Sequence, residues 1–352
     1  MGHDNAVASA PRSDRLLVAA PDKFRGTATA AQVAAAVARA AERFGWTCDE
    51  APVADGGEGT LEALGGSPRH TTVHGPLGQL VNAEWRMQTD GIAVVEMARA
   101  SGLDLLGGPD LNDPLRASTR GTGELIAAAL DAGAIRVIVG VGGSATTDGG
   151  LAALTAINPA RRMRGAVEIV VACDVTTRFV DAAEIFAPQK GATAAQVALL
   201  RRRLQRLAEV YVRDYDVDVR DLPGSGAAGG LAGGLAAAGA VLVPGFELVA
   251  ETLDLADRIA GADLVVTGEG HLDAESFAGK AVGGVIGLAA AAGVPVLVVV
   301  GGVERDEVPA DLLPPGVTVV SLVERFGLEE ATWDPIGCVD AVVAAELALR
   351  GR

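Results

Sequence analysis

Acidic residues, most of them beside glycines, stand at four points where an apolar, strand-like run ends. These turns are Asp55-Gly56-Gly57-Glu58-Gly59, Asp148-Gly149-Gly150, Cys173-Asp174 and Gly268-Glu269-Gly270. Glycine lets backbone N–H groups come close to phosphate oxygens, and a carboxylate can hold Mg²⁺ or accept a proton from a hydroxyl. Any one of these turns is more simply explained by the wide conformational range of Gly and Asp.

Lysine is rare in this chain. Of the 29 Lys and Arg residues, only Lys23, Lys190 and Lys280 are lysines, and each lies beside a glycine-bearing turn. A compact ammonium can handle a phosphate or carboxylate as a point charge, although a base composition that favours arginine is an alternative explanation. The acidic turns and the isolated lysines together indicate phosphoryl transfer.

One glycine-rich segment, residues 224–229, matches the dinucleotide-binding pattern by letter. It follows a charged segment at 213–222 and not a clean apolar strand, so the match is weak. The segment is either a helix N-terminus that binds an anion or a place where helices pack closely. A Gly-x4-Gly-Lys-Ser/Thr loop is not formed, because Ala281 follows Gly279-Lys280, and protein-kinase signatures are absent.

Composition narrows the class of protein. A length of 352 residues predicts about two domains. The formal net charge of -16 argues against a nucleic-acid or anionic-membrane surface. Cys48, Cys173 and Cys338 form no disulfide or zinc pattern, which favours a reducing cytoplasm. The charge-free stretches 223–246 and 281–303 are too rich in Gly and Ala, or too interrupted by Gly and Pro, to be membrane spans.

Strand and helix patterns alternate over much of the chain. Residues 16–22 read as a buried strand, 30–44 as a helix with Thr29 as N-cap, and 47–54 as a second strand, which together make a βαβ unit. Residues 65–90 read instead as an antiparallel meander. Further helices are expected at 121–132, 193–211, after 224–230, and at 276–292, with strands at 136–141, 167–172, 263–267, 296–300 and 317–322.

The fold class expected from this order is α/β. A doubly wound, Rossmann-like domain is formed by both chain ends, residues 15–66 and 246–352, with a second α/β domain inserted at 67–245. Residues 1–14 read as a frayed tail.

Several segments together resemble the type I glycerate kinase family. They are Ala20-Pro21-Asp22 with Phe24 and Gly26, 54–60, 142–150, Cys173-Asp174-Val175, 188–192, 224–230, and 267–270 with Leu272-Asp273 and Gly279-Lys280. They occur in the family's order from residue 16 to about residue 303. The resemblance implies two α/β domains around a cleft and ATP-dependent phosphorylation of glycerate, typically at the 2-hydroxyl.

The resemblance also implies roles for particular residues. Asp174 is expected to take the proton of the acceptor hydroxyl, while Lys190 and Lys280 neutralise phosphate oxygens. Asp148 and Glu269 are the expected Mg²⁺ ligands, with Asp55 and Glu58 as further candidates. Substrate and nucleotide binding is assigned to Lys23, Arg25, Asp55, Gly56, Gly57, Glu58, Gly142, Gly143, Ser144, Thr146, Gly226, Gly268, Glu269 and Asp273. The expected partners are ATP and a small hydroxylated substrate. The sequence leaves the oligomeric state open, with a homodimer as one candidate.

The chain departs from the family pattern at several places. Lys23 stands where a serine is usual, Arg25 replaces a lysine, and Thr147 replaces an asparagine; the stretches 151–166 and 175–187 look short. The changes that begin at Asp174 leave a sister kinase for another polyol, sugar acid or cyclitol as an alternative. The glycine pattern at 224–229 leaves a dinucleotide-dependent oxidoreductase, and a ligand-binding relative without turnover is the third alternative.

Overall fold

The computed structural model describes residues 15–162, 167–277, 280–306, 308 and 313–350. The predicted tail at 1–14 lies outside the described residues. The described residues form two compact units. Unit 1 comprises those of Met1–Pro52, Asp254–Phe277 and Val285–Arg352, and unit 2 comprises those of Val53–Leu253 and Ala278–Gly284. The domain boundaries near residues 66 and 246 stay predictions.

The strands in the described part of the chain fall into two sheets. They are β1 (Leu16–Ala19), β2 (Thr47–Glu50), β3 (Ser67–His74), β4 (Leu80–Met87), β5 (Ile92–Glu96), β6 (Arg136–Gly140), β7 (Glu168–Ala172), β8 (Val241–Val243), β9 (Leu264–Leu272), β10 (Val296–Val303) and β11 (Val317–Ser321).

Helices connect most of these strands. They are α1 (Ala30–Arg43), α2 (Thr60–Leu64), α3 (Ala98–Ser101), α4 (Arg120–Asp131), α5 (Leu151–Ile157), α6 (Pro159–Arg162), α7 (Ala182–Phe186), α8 (Ala194–Tyr215), α9 (Ala227–Ala237), α10 (Gly245–Thr252), α11 (Leu255–Ala260), α12 (Ala281–Ala292), α13 (Leu322–Phe326), α14 (Leu328–Trp333) and α15 (Pro335–Arg350). Short 3-10 turns lie at Asp104–Leu106, Pro109–Leu111, Pro188–Lys190 and Ala274–Phe277.

Unit 1 is built on a parallel sheet with the strand order β11-β10-β9-β1-β2. Every neighbouring pair in it is parallel. Leu17, Leu264 and Leu297 pack on the side of α1 and α15, and the alternating residues Val18 and Val265 are equally buried. Burial of both faces is typical of a parallel sheet in an α/β protein, which confirms the expected fold class.

Helix α1 begins where the sequence predicts. The Thr29 hydroxyl accepts a hydrogen bond from the backbone N–H of Gln32, and the Gln32 side chain accepts one from the N–H of Thr29. This reciprocal pair is a capping box, which satisfies two N–H groups that a helix start leaves open. Val33 and Val37 are spaced on one face and are buried in the core of unit 1.

Unit 2 contains a mixed sheet with the order β3-β4-β5-β6-β7-β8. β3, β4 and β5 pair antiparallel, which confirms the predicted meander, and β5 to β8 continue as parallel strands. The carboxyl ends of β5, β6 and β7 therefore lie side by side at Glu96, Gly140 and Ala172. Loops that follow or cross these ends share one edge of the sheet.

The prediction that a strand ends at Thr267, before an acidic glycine turn, is wrong. β9 runs on to Leu272, because β10 also continues and pairs Val299 with Gly268 and Val300 with Glu269. Gly268 is required by this pairing, since an added Cβ would overlap the carbonyl oxygen of Val299. Glu269 is therefore a strand residue. The helix expected at 276–292 is likewise shorter, since α12 begins at Ala281.

Candidate functional site

The loop Asp55–Thr60 lies on the carboxyl edge of the unit 2 sheet. An added Cβ on Gly56 would come 2.8 Å from the carbonyl oxygen of Ala172, and one on Gly142 would come 2.6 Å from Cα of Gly57. The backbone of the loop therefore rests directly on the ends of β6 and β7, and only glycine fits at these contacts. Two predicted binding segments, 55–59 and 142–150, are thus brought together.

Side chains within this loop fix its shape. Asp55 Oδ1 accepts a hydrogen bond from the N–H of Gly57 at 3.2 Å, and the Thr60 hydroxyl donates to the carbonyl oxygen of Gly57 at 2.7 Å. Asp55 is half-buried, whereas Glu58 is exposed. Of the two predicted carboxylates, Asp55 is thus occupied within the loop and Glu58 faces solvent.

Glu96, at the end of β5, was not among the predicted site residues. Its side chain is 2% exposed, and Oε1 accepts hydrogen bonds from the N–H groups of Gly59 at 2.9 Å and Leu61 at 3.0 Å. Oε2 accepts from Nε of Arg99 at 3.0 Å. Burial raises the pKa of Glu96, against the opposing effects of the Leu61 N–H and Arg99. An acid that ends an otherwise apolar strand was the available sequence signal.

The loop 142–150 follows β6 and is anchored from inside by Lys190. Nζ of Lys190 donates to the carbonyl oxygen of Thr146 at 2.7 Å and to the Ser144 hydroxyl at 3.2 Å, and the side chain is 3% exposed. Burial lowers the pKa of this ammonium to about 7, although the negative charge of Asp148 acts in the opposite direction. Lys190 therefore contacts two other predicted site residues, and its ammonium donates to a backbone carbonyl and a side-chain hydroxyl of the protein. Its predicted role in neutralising phosphate oxygens stays a prediction.

Asn112 connects the same loop to the 3-10 turn that carries Lys190. Its Nδ2 donates to the carbonyl oxygens of Ala145 at 3.0 Å and Lys190 at 2.8 Å. Both ends of the Lys190 residue, ammonium and carbonyl, are thus bound in one network. Thr147, one of the residues that depart from the family pattern, is buried, and its hydroxyl has no hydrogen-bond partner among the described residues.

Asp148 joins the starts of two helices. Oδ2 accepts from the N–H and the hydroxyl of Thr119, both at 2.9 Å, and Oδ1 accepts from the N–H of Gly150 at 3.1 Å. Thr119 precedes α4 and Gly150 precedes α5, where carboxylates are favoured. Burial raises the pKa of Asp148 against these bonds.

The carboxylate of Asp148 does not fit a resident metal ion as a ligand. Both carboxylate oxygens of Asp148 already face N–H or O–H donors. Among the described residues, no group of three or more His, Cys, Asp and Glu side chains is arranged to hold a metal. The metal-ligand roles of Asp148 and Glu269 stay predictions, and no chemical step is assigned to a bound metal.

Asp174 follows β7 and is exposed, as an acceptor-facing carboxylate would have to be. Its neighbour Cys173 is buried, and burial together with the charge of Asp174 raises the pKa of that thiol to about 11. Lys280 is half-buried directly before α12, and its carbonyl accepts from the N–H of Gly284 at 3.0 Å. Gly279 lies outside the described residues.

The glycine segment before α9 is used for close packing. An added Cβ on Gly226 would come 2.4 Å from the carbonyl oxygen of Arg178, and one on Gly229 would come 2.0 Å from that of Thr146. Ala228, Gly229 and Gly230 have left-handed backbone angles, so no regular helix N-terminus is formed there. These contacts favour the packing interpretation, and a binding role for Gly226 stays a prediction.

In unit 1 the predicted residues gather at the ends of β1 and β9. The N–H of Asp22 donates to the carbonyl oxygen of Gly268 at 2.8 Å, and Nζ of Lys23 lies 3.6 Å from Oδ1 of Asp22. Arg25 is exposed, and its backbone nitrogen would lie 3.1 Å from a Cβ on Gly270. Lys23 and Arg25 are therefore placed beside the strand that carries Gly268 and Glu269.

Asp273 closes the turn after β9. Its Oδ1 accepts from the N–H of Ser276 at 3.1 Å and from the Ser276 hydroxyl at 3.3 Å. This pattern starts the 3-10 turn Ala274–Phe277. The contacts shape the local backbone, and ligand binding by Asp273 stays a prediction.

Comparison with known proteins shows where this architecture belongs. The sequence profile described as "Glycerate kinase family" matches residues 17–161 and 157–332. The "Glycerate 2-kinase" of Escherichia coli K12 is 40% identical over 329 residues, covering 82% of this chain and 86% of that protein. The "Glycerate kinase" of Bacillus subtilis 168 is 39% identical over 329 residues, with the same coverage of 82% and 86%.

A solved structure gives the same result for the fold. The crystal structure assigned to glycerate kinase 2 of Salmonella typhimurium LT2 superposes with a TM-score of 0.80 at 35% identity, covering 96% of this chain and 98% of that one. The profile match spans both units, and the relatives are matched over most of their length. The chain therefore belongs to the glycerate kinase family, whose members are kinases with an alcohol group as acceptor.

Proposed function

We propose that this protein transfers the γ-phosphoryl group of ATP to D-glycerate, at the 2-hydroxyl, and so forms 2-phosphoglycerate. The observation that carries the proposal is the placement of the family's segments. The segments 20–26, 142–150 and 173–175 follow β1, β6 and β7, so they lie at the carboxyl ends of parallel strands. Open α/β sheets bind ligands at this edge. ATP use follows from family membership, and Mg²⁺ enters as part of the nucleotide substrate.

Asp174 is proposed as the group that receives the hydroxyl proton. As the glycerate oxygen bonds to the γ-phosphorus, the bond from that phosphorus to the bridging oxygen of ADP breaks, and the proton passes to the carboxylate. The exposed position of Asp174 at the end of β7 supports this role, since the carboxylate is accessible to a small acceptor.

Lys280 is proposed to neutralise phosphate oxygens. Phosphoryl transfer requires mainly positioning and charge neutralisation, which a protein with a net charge of -16 must supply through a few local cations. Lys190 differs, because its ammonium is bound to Thr146 and Ser144. We therefore propose that Lys190 acts on the reaction by holding the loop 142–150.

The proposal is tested by incubating the full chain with Mg·ATP and D-glycerate. We expect release of ADP together with a product whose ³¹P signal is split into a doublet by the single proton on C2. Phosphorylation at the terminal hydroxyl would give a triplet instead and would move the reaction to the other oxygen. A panel of sugar acids and cyclitols, assayed in parallel, identifies a sister kinase if it exceeds glycerate in kcat/KM.

Two variants separate the assigned roles from folding. Asp174→Asn should abolish turnover while nucleotide binding is retained, and Lys280→Glu should abolish transfer in a protein that still unfolds cooperatively. Asp214→Asn, which removes another exposed aspartate of unit 2, is the matched control and should leave turnover unchanged. Full turnover by Asp174→Asn would show that the proton goes elsewhere. A cytoplasmic location and a homodimer stay predictions.

A further inference from the structure

We propose that Glu96 is a positioning residue for the reaction: its carboxylate holds the Asp55–Thr60 loop in the shape that binds ligand. The inference rests on the proposed function and on the binding role that the sequence analysis predicts for residues 55–58. Glu96 itself is buried, and its Oε1 accepts from the backbone N–H groups of Gly59 in the loop and of Leu61 in α2.

The contacts on the loop show why this carboxylate matters. The start of the loop is confined by close backbone contact, since an added Cβ on Gly245 would come 1.9 Å from the carbonyl oxygen of Asp55. At its far end Gly59 has a φ of 96°, so the chain turns sharply into α2 there. One oxygen of Glu96 binds the N–H groups on both sides of that turn.

The segment that follows Glu96, residues 97–103, contacts the second glycine-rich loop, residues 142–150, through its backbone. The N–H of Leu103 donates to the carbonyl oxygen of Gly143 at 2.9 Å, and the N–H of Ala145 donates to the carbonyl oxygen of Ser101 at 3.0 Å. These bonds do not involve the Glu96 side chain. Replacement of Glu96 should therefore loosen the loop at 55–60 while the loop at 142–150 keeps its anchors.

Arg99 provides a way to separate charge from positioning. It donates Nε to Glu96 and lies 3.2 Å from Glu62 through a terminal nitrogen, and it is 38% exposed. In Glu96→Gln the amide oxygen can still accept from the loop, while the ion pair with Arg99 is lost. In Glu96→Asp the charge is kept, but the shorter side chain withdraws it from the loop. Arg99→Gln removes the ion pairs with Glu96 and Glu62 and leaves the bonds from Glu96 to Gly59 and Leu61 in place.

The expected order of kcat/KM follows from these differences. Arg99→Gln and Glu96→Gln should stay within about threefold of the wild type, whereas Glu96→Asp and Glu96→Ala should fall by about tenfold to a hundredfold, since small displacements of a binding loop have effects of this size. If Glu96→Ala fails to fold, Glu96→Asp still decides the matter. An impairment of Glu96→Gln larger than that of Glu96→Asp would overturn the proposal.

Glu124 is a matched control within unit 2. It also accepts a backbone N–H, from His74 at 2.8 Å, and pairs with an arginine, Arg120, at 2.8 Å, but its bonds hold β3 and not a glycine loop. Glu124→Ala should lower the free energy of unfolding without changing kcat/KM of the folded enzyme. Equal losses of kcat/KM in Glu124→Ala and Glu96→Ala would reduce the role of Glu96 to general stability and overturn the proposal.

Amide hydrogen exchange of the full chain tests the inference without any turnover. Exchange in the peptide that covers residues 55–64 should accelerate by about tenfold in Glu96→Asp and remain near the wild-type rate in Glu96→Gln. Unchanged exchange in Glu96→Asp would refute the positioning role whatever the activity. Absence of glycerate phosphorylation in the wild type, with the expected exchange pattern, would instead refute only the proposed function.

Discussion

Replacing Lys190 by methionine should change how the stability of unit 2 depends on pH. The ammonium is 3% exposed, and burial lowers its pKa from 10.5 to about 7. Between these two values the unfolded chain keeps a proton that the folded chain has released. Folding is therefore penalised most below pH 7, where the buried lysine must carry its charge. The free energy of unfolding rises as the pH is raised from about 7 toward 10.5.

The size of the effect follows from the shift. The slope approaches ~1.4 kcal/mol for each pH unit once the folded lysine is neutral. Integrated from about pH 7 to about pH 8.5, one lysine with these pKa values adds ~1.6 kcal/mol to the free energy of unfolding. The comparison stops at about pH 8.5 because the buried Cys173 thiol has a pKa raised from 9.0 to about 11. Above that pH the unfolded chain loses the thiol proton before the folded chain does, which lowers the free energy of unfolding.

Urea unfolding at several pH values measures this slope. Trp85 is 3% exposed in β4 and reports on unit 2 once Trp46 and Trp333 of unit 1 are replaced by phenylalanine. In this background the chain with Lys190 should gain the calculated stability, and the Lys190→Met chain should not. Equal slopes in the two proteins would show that the ammonium is not removed from water, and the burial described for Lys190 would be refuted.

Three further changes test local features by urea unfolding. Thr29→Ala should cost unit 1 ~1 kcal/mol through loss of the N-cap, and no loss would contradict the capping box. Gly56→Ala should lower the free energy of unfolding of unit 2 by ~2 kcal/mol more than Gly59→Ala. Both glycines have a positive φ, but of the two only Gly56 has neighbouring backbone that an added Cβ would contact. Equal losses in the two variants would argue against this close approach. Tyr211→Phe should cost unit 2 ~1.5 kcal/mol, because the buried hydroxyl donates to the carbonyl oxygen of Gly149; an unchanged midpoint would exclude that bond.

Features decided by neighbouring residues could be predicted from the sequence. The N-cap Thr29, the buried valines at 33 and 37, and the antiparallel strands β3 and β4 depend on spacing within one element or one hairpin. The glycine-rich segments were likewise visible as sequence patterns. They showed where the backbone needs special angles, although not which other chain segment lies against each glycine.

Features decided by distant residues could not be predicted. The length of β9 depends on its pairing with β10, which places Val299 opposite Gly268. Glu96 acquires its role from Gly59 and Leu61, 37 and 35 residues earlier in the chain. Lys190 was recognised as an isolated lysine, but its burial depends on the loop at 142–150 folding over it.

Glu96 and Lys190 carry ionisable groups of opposite charge, and burial disfavours the charged form of both. Burial raises the pKa of the carboxyl and lowers the pKa of the ammonium, so in each case folding works against the charged form. A buried charge that opposes folding is not retained for stability, because an apolar residue of similar volume is often neutral or stabilising. What each side chain provides is a fixed loop: Glu96 accepts from the N–H groups of Gly59 and Leu61 at the end of one loop, and Lys190 donates to a carbonyl oxygen of the other. The stability lost at these two residues is therefore the physical cost of preorganising two loops whose glycines allow a wide range of backbone conformations.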